Sequence, residues 1–131
     1  METPRRILII KLGSIGDVVH TLPALADLKE SFPEAEIDWL VESKARVILN
    51  GNPWLHDVVE IDTHKWRRSW SLQTLAEMRR IASSLRGRRY HVTLDFQGLW
   101  KSAFLGKVSG ARKLIGFDRT TLKEPGCRLF Y

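Results

Sequence analysis

Short apolar runs alternate with helix-forming segments along this 131-residue chain. The first run, RILIIK at residues 6–11, is β-branched and continuously apolar, as is typical of a strand buried on both faces of a sheet. Strands that alternate with helices build a parallel sheet covered by helices on both faces. The pattern therefore predicts an α/β fold, a doubly wound parallel sheet, in which residues 1–131 form a single domain.

The individual elements follow from the same pattern. Thr21 is predicted to cap a fresh helical start at Pro23, which interrupts the first helix. Residues after 117 carry turn and helix-start signals but no finished element, which predicts that the chain is the N-terminal part of a larger protein. Strands are predicted at 6–11, 36–41, 57–62, 91–96 and 111–117, and helices from 17 onward and at 43–50, 71–87 and 98–110. The buried face of the helix at 71–87 is predicted to be Leu72, Leu75, Ala76, Ile81, Ala82 and Leu85, with Gly87 at its end.

The charge of the chain limits its partners. The net charge is +6, and eight Lys or Arg lie between His64 and His91 against one acid, Glu77. This local excess predicts an acidic partner, which could be nucleic acid, anionic lipid, or a phosphorylated or carboxylated substrate. A second interpretation makes part of the excess the polar face and last turn of a helix, where basic residues complement the dipole. Those residues are Arg79, Arg80, Arg86, Arg88 and Arg89.

Several classes of protein are excluded by composition. The single cysteine, Cys127, rules out an internal disulfide framework and a cysteine-rich zinc site. The four histidines lack metal-ligand spacing, so neither a metal nor a cofactor is predicted. No apolar run approaches the ~18 residues that span a bilayer, and no secretory cleavage pattern is present. A soluble, cytoplasmic protein is therefore expected.

The segment GSIGD at residues 13–17 joins the first strand to the first helix. Gly13 and Gly16 allow a ligand to approach the backbone closely, and free amides at a helix start attract anions. The dinucleotide and P-loop fingerprints are both absent. Asp17 has two interpretations that the spacing leaves open. It either stabilises the helix N-terminus by ~0.3–1 kcal/mol or acts as a general base at the edge of the sheet.

Two further loops are expected at the same edge, because ligands of doubly wound sheets bind outside the carboxyl ends of the strands. HKWRRSW at 64–70 offers Arg forks for phosphates or carboxylates, with Trp66 and Trp70 packing on sugars or bases. The alternative is a solvated loop whose tryptophans pack on the domain. DFQGLWKS at 95–102 places a polar trio around a strand-to-helix turn, where it either orients a hydroxylated ligand or caps the turn. The trio is Asp95, Gln97 and Lys101.

Taken together, five segments resemble the N-terminal half of the lipopolysaccharide heptosyltransferases of glycosyltransferase family 9, type I in particular. The resemblance covers almost the whole chain. It implies a GT-B glycosyltransferase, in which two Rossmann-like domains face each other across a cleft and this chain is the N-terminal, acceptor-binding domain. The C-terminal donor-binding domain is absent from the chain, so the fragment alone is expected to be inactive. The segments are ILIIKLGSIGDVVHTLPAL, IDWLVE, HKWRRSW, DFQGLWKSA and KEPGCRLFY.

The resemblance also implies a reaction and its residues. Heptose is transferred with inversion from ADP-L-glycero-β-D-manno-heptose to the Kdo of lipid A in the lipopolysaccharide inner core, and Asp17 occupies the position of the general base. His64 stands where another arginine is expected, which leaves its role in doubt. The implied acceptor-binding residues are Gly13, Ser14, Gly16, Lys65, Arg67, Arg68, Gln97, Lys101 and Lys123.

The partners implied are Kdo-lipid A, ADP-heptose held by the missing C-terminal domain, and the cytoplasmic face of the inner membrane through peripheral contact. No nucleic acid is expected. Two alternatives stay open. One is a type II heptosyltransferase that acts on a heptose acceptor. The other is a basic Rossmann-like module that binds nucleic acid, which would show a strongly salt-dependent affinity.

Overall fold

A computed structural model describes residues 3–68, 71–97 and 105–116 of the chain. Five strands form one sheet, and every pair of neighbours in it is parallel. The strands are β1 (Arg6–Ile10), β2 (Glu36–Glu42), β3 (Asp57–Ile61), β4 (Val92–Asp95) and β5 (Lys113–Ile115). The connections include α1 (Ile15–Ser31), a 3-10 helix (Ser43–Leu49), α2 (Thr63–Arg68) and α3 (Leu72–Gly87). The predicted α/β parallel sheet is confirmed.

The strand order β3-β2-β1-β4-β5 fixes where a ligand site can form. The chain moves outward from β1 through β2 to β3, then crosses back so that β4 pairs with the other side of β1. In doubly wound sheets, ligands bind at such a switch point, in the crevice outside the carboxyl ends of the strands. Of the helix predicted over 98–110, the described part is helical at 105–108.

The sheet is buried on both faces, which explains the continuous apolar run of β1. Ile7 and Ile9 pack against α1 and the 3-10 helix, while Leu8 and Ile10 pack against α2 and α3. Adjacent strand residues point to opposite faces, so each face receives alternate side chains. Within the described ranges, no helix is both long and apolar enough to span a bilayer.

Helix α1 runs unbroken through Pro23, so the predicted restart at that residue is wrong. Val18, Thr21 and Leu25 bury one face of the helix against the sheet. Proline has no N–H, so the Val19 carbonyl lacks its usual helical partner at Pro23. Both residues are exposed, and water can donate to that carbonyl instead. The Thr21 hydroxyl donates to the Asp17 carbonyl at 2.8 Å instead of capping a new helix.

The buried face of α3 differs from the predicted one at its first half. Leu72 and Leu75 are 86% and 45% exposed, and Ala76 is exposed as well. The face that meets the core follows the spacing i, i+4, i+7, i+11. Ser71 caps the helix by accepting from the Thr74 N–H, which places Thr74 in the first turn, at the start of this face. Its members are Thr74, Met78, Ile81 and Leu85, with Ala82 partly buried beside them.

The end of α3 is partly as predicted. The helix stops at Gly87, but the left-handed backbone conformation that follows belongs to Arg89, with φ of 54°. Arg79 and Arg80 lie on the exposed face, as the dipole interpretation expects. Arg88 instead turns inward to the carboxylates of Asp38 and Asp57, at 3.0 and 2.8 Å.

Candidate functional site

A cleft of about 520 Å³ opens at the carboxyl edge of the sheet, next to the switch point. The loop after β1 forms one wall, and the residues that follow β2 and β3 form the other. Four of the predicted site residues, from the segments after β1 and β4, line this cleft, and His64 from the segment after β3 lines it as well. The expected convergence of the three segments on one rim is therefore observed for these residues. The four are Gly13, Ser14, Gly16 and Gln97.

Asp17 lies in the first turn of α1, beside the residues that line the cleft. Ser14 is the N-cap with extended backbone, and its N–H donates to Asp17 Oδ2 at 3.3 Å. The carboxylate is half-buried, and it neutralises part of the positive end of the helix dipole. The helix-capping interpretation is therefore realised in the structure. The single bond from Ser14 engages one of the two oxygens, and this geometry is compatible with a second role as a proton acceptor.

Gln97 holds the two loops of the switch point together. Its Oε1 accepts from the Leu12 N–H at 3.0 Å, and its own N–H donates to Asp95 Oδ1 at 2.9 Å. Nearby, Lys11 Nζ donates to the Phe96 carbonyl at 3.1 Å, which adds a second link between the ends of β1 and β4. Gln97 thus has a structural task in addition to any contact with a ligand, because it fixes the start of the GSIGD loop.

The described part of the basic segment, residues 64–68, is helical and not the loop that was predicted. Asp62 caps α2 by accepting the Lys65 N–H at Oδ1, at 2.9 Å. Lys65 and Arg68 are exposed, whereas Trp66 is only 7% exposed and packs in the core between the sheet and α3. The interpretation that Trp66 packs on a sugar or base is wrong, and the alternative, packing on the domain, is confirmed for this residue.

The remaining predicted positions have no described side chain. Arg67 lies in α2, but its side chain is outside the described set. Trp70, Lys101 and Lys123 fall wholly outside the described residues. Their assignment stays a prediction.

Two basic residues that the sequence left unassigned line the cleft. His64 begins the basic segment and faces the loop after β1, and Lys44 faces it from the 3-10 helix after β2. Lys44 follows the carboxyl end of a strand, so the topology alone could have nominated it. Both side chains are exposed, and Lys44 brings positive charge to the wall opposite Ser14.

Glu42, which sequence reasoning missed, connects the two walls. Its side chain is nearly buried, and the residue is 8% exposed. Oε2 accepts from the Thr63 N–H at 3.1 Å, and Oε1 accepts from the Thr63 hydroxyl in a short hydrogen bond. Its backbone N–H donates to the Leu12 carbonyl at 2.9 Å. The only available sequence signal was an acidic residue at the end of an otherwise apolar strand.

Glu42→Gln is expected to destabilise the protein by about 1.5–3 kcal/mol, the usual worth of hydrogen bonds to a charged group. The amide cannot accept both Thr63 donors at once, so α2 loses its anchor at Thr63. Chemical denaturation of the whole protein measures the loss. The control is Glu60→Gln on β3, whose exposed pair with Arg46 at 3.5 Å should contribute less than about 1 kcal/mol. Equal effects of the two substitutions would show that burial of Glu42 adds nothing.

Comparison with known proteins identifies one family. The family profile described as glycosyltransferase family 9 (heptosyltransferase) matches residues 78–131. Lipopolysaccharide heptosyltransferase 1 of Pseudomonas aeruginosa is 36% identical to this chain, in an alignment that covers 96% of the chain and 36% of that protein. The protein of the same name from Escherichia coli strain K12 is also 36% identical, over 96% of the chain and 40% of its own length.

Solved structures agree with the sequence comparison. The structure of Escherichia coli heptosyltransferase WaaC with ADP superimposes with a TM-score of 0.86 at 36% identity, covering 96% of this chain and 40% of that one. The structure of WaaC with ADP-2-deoxy-2-fluoro heptose gives a TM-score of 0.84 at 35% identity and the same coverage. The chain therefore spans about two fifths of the length of the relatives it matches.

Proposed function

This chain belongs to glycosyltransferase family 9, and from that premise we propose that it is the N-terminal, acceptor-binding half of an inverting type I heptosyltransferase. The complete enzyme transfers heptose from ADP-L-glycero-β-D-manno-heptose to the Kdo of lipid A in inner-core synthesis. The observation that carries the proposal is the cleft at the switch point, where the loop that precedes Asp17 faces Lys44 and His64. Identity of 36% to two proteins named lipopolysaccharide heptosyltransferase 1 supports the choice of type I.

In the proposed reaction Asp17 is the general base. Its carboxylate takes the proton from a Kdo hydroxyl while that oxygen forms a bond to the anomeric carbon of heptose. The bond from the anomeric carbon to the phosphate oxygen breaks, ADP leaves with the electron pair, and the configuration inverts. General base catalysis of this kind contributes about 10²–10⁴-fold to the rate.

Recognition of the acceptor rests on charge. Kdo carries a carboxylate and lipid A carries phosphates, both of which bind to Lys and to Arg forks. Lys44 and His64 in the cleft wall suit the carboxylate, and the exposed residues of α2 suit groups further out. The glycines leave room for a bulky sugar beside the backbone. The proposed acceptor contacts are Gly13, Ser14, Gly16, Lys65, Arg67, Arg68, Gln97, Lys101 and Lys123, together with Lys44 and His64.

The donor is proposed from the relatives. The WaaC structures carry ADP and a fluorinated ADP-heptose, which supports ADP-heptose as the donor of this protein, held by its C-terminal half. Because the acceptor is a membrane lipid, we also propose peripheral contact with the inner leaflet through Lys65 and Arg68. Each basic residue near an anionic surface contributes about 1 kcal/mol.

Transfer assays on the whole protein test the function. With ADP-heptose as donor, Kdo-terminated lipid A should be the preferred acceptor over heptose-terminated lipid, because the acceptor carboxylate meets the basic wall of the cleft. The reverse preference would make the protein a type II enzyme. Absence of transfer to either acceptor, together with salt-dependent binding of duplex DNA, would support the nucleic-acid module instead.

Co-sedimentation with anionic vesicles should weaken as salt rises, and binding that does not depend on lipid charge would contradict the membrane contact.

A further inference from the structure

A second cleft, of about 460 Å³, opens at the amino edge of the sheet, opposite the candidate transferase site. Its walls come from three segments far apart in the chain: residues 5–6 at β1, residues 86–91 between α3 and β4, and residues 110–112 before β5. Six arginines line it, and we name this concavity the arginine cleft. They are Arg5, Arg6, Arg86, Arg88, Arg89 and Arg112.

The charge of the arginine cleft is only partly neutralised. Arg88 pairs with Asp38 and Asp57, and Arg6 Nε lies 3.6 Å from Glu36. Arg5, Arg86 and Arg89 form no ion pair with any residue of the described ranges, and none of the described residues that line the cleft is acidic. A concave surface lined by one sign of charge concentrates its field and attracts counter-ions.

Three of the arginines are held in place by contacts with other residues of the protein. Arg86 Nε donates to the Val108 carbonyl at 2.8 Å, Arg6 lies over the ring of Tyr90 at 6.0 Å, and Arg88 is fixed by its two carboxylates. Gly110 allows this arrangement, because a Cβ at that position would meet Arg86 Cγ at 3.2 Å. Pre-positioned side chains lose little entropy when a ligand binds.

The backbone between α3 and β4 has an unusual conformation here. Arg89 has φ of 54°, a conformation that residues other than glycine rarely adopt. The C-terminal end of α3 brings a partial charge of only about −0.5 to the same place, and the charges of Arg5, Arg86 and Arg89 outweigh it. The arginines repel one another, and an uncharged ligand would leave that repulsion uncompensated.

We propose that the arginine cleft binds a phosphate-dense anion. Guanidinium groups match phosphate oxygens with paired, charge-assisted hydrogen bonds, and arginines from three directions can surround several phosphates at once. The cleft lies at the edge of the sheet away from Asp17, so this site is separate from heptosyl transfer and does not depend on it. The ligand is either a free polyphosphate or the phosphorylated headgroups of an anionic lipid.

The test is titration calorimetry of the whole protein with inorganic tripolyphosphate, in saturating ADP so that a donor site is already filled. The double variant Arg5→Gln with Arg89→Gln should bind at least about tenfold more weakly, since each lost charge-assisted contact costs that order of affinity. The matched control is Arg79→Gln with Arg80→Gln, which removes the same charge from the exposed face of α3. Heptosyl transfer should be unchanged in both double variants.

Two results would overturn the proposal. One is equal weakening by both double variants, which would reduce the effect to net charge. The other is the absence of saturable binding of tripolyphosphate by the parent protein in saturating ADP.

A second arm of the experiment identifies the source of the phosphate. In this arm, tripolyphosphate is used to displace the protein from phosphatidylglycerol vesicles. If tripolyphosphate displaces the parent protein but not the Arg5→Gln with Arg89→Gln variant, the cleft binds lipid headgroups. Tripolyphosphate binding without such displacement assigns a free anion.

Discussion

Replacing Asp17 with asparagine should lower the rate of heptosyl transfer by about 10²–10⁴-fold, the contribution of a positioned general base. The amide cannot accept the proton of the attacking hydroxyl. Acceptor affinity should change little, because the variant keeps the shape of the side chain. Single-turnover transfer from ADP-heptose to Kdo-terminated lipid A measures the rate, and acceptor binding is measured separately.

The capping role of Asp17 can be separated from its proposed catalytic role. Asparagine is also a favourable residue near a helix start, and its oxygen can still accept from the Ser14 N–H. Loss of the charge alone should therefore cost only about 0.3–1 kcal/mol of stability. Asp27→Asn, on the exposed side of α1, is the matched control and should leave both rate and stability nearly unchanged. Persistent turnover in the Asp17 variant would place the base elsewhere.

The second large effect is expected at Asp38, which has 0% exposure in the middle of the sheet. Asp38 Oδ2 accepts from the Tyr90 hydroxyl at 2.6 Å and from Arg88 Nη1 at 3.0 Å, and Oδ1 lies 3.1 Å from His56 Nδ1. Asp38→Ala should destabilise the protein by about 3–5 kcal/mol, because it leaves the buried Tyr90 hydroxyl without its acceptor and removes one of the two carboxylates that pair with Arg88. Denaturation of the whole protein measures the change.

A double variant distinguishes this cause from a simple cavity. If the lost pair with Arg88 causes part of the loss, Asp38→Ala combined with Arg88→Ala should lose less stability than the sum of the two single losses. Tyr90→Phe should cost about 1.5–3 kcal/mol, since it removes only one hydrogen bond to the carboxylate. Additive losses in the Asp38 and Arg88 variants would contradict the argument, because they would mean that the pair is not coupled.

The same cluster sets the pH range of stability. Burial raises the pKa of Asp57, but hydrogen bonds from Arg88 and the Val58 N–H, with the charges of Arg88 and His56, outweigh it and hold the pKa below 3.8. Its stabilisation is therefore present above the unfolded pKa and is lost as pH falls through the lower folded pKa. Burial and the hydrogen bond to Asp38 raise the pKa of Tyr90 above its ordinary value of 10.0. The contribution of Tyr90 to stability is therefore fully present below its unfolded pKa and is lost as pH rises through the higher folded pKa.

Local patterns in the sequence were sufficient for the strands and for α3, but not for the continuity of α1, for α2 or for the packing of the helices. The helix of α3 was predicted with its end at Gly87, yet its core face was misjudged because apolar residues were assumed to mark it. Leu72 and Leu75 are exposed while Thr74 is buried. The break at Pro23 was predicted from propensity, and packing of α1 on the sheet through Val18 and Leu25 overrides it.

The candidate site shows the same division. Gly13, Ser14 and Gln97 line the cleft as predicted, because the topology of a parallel sheet sends their loops to one edge. Trp66 was misplaced because a tryptophan among basic residues looks the same in sequence whether it meets a ligand or the core. Glu42 was missed because its partner, Thr63, lies 21 residues away.

The sequence by itself determined the α/β alternation, the strands buried on both faces and the loops of the carboxyl edge, since each of these leaves a short-range period or turn. It also determined the family, through motifs kept in order. Only the tertiary structure decided which side chains share a space. Asp38 meets Arg88 across 50 residues, and the arginine cleft draws on three separate segments. Contacts between distant segments leave no periodic signal, because they depend on how whole elements pack.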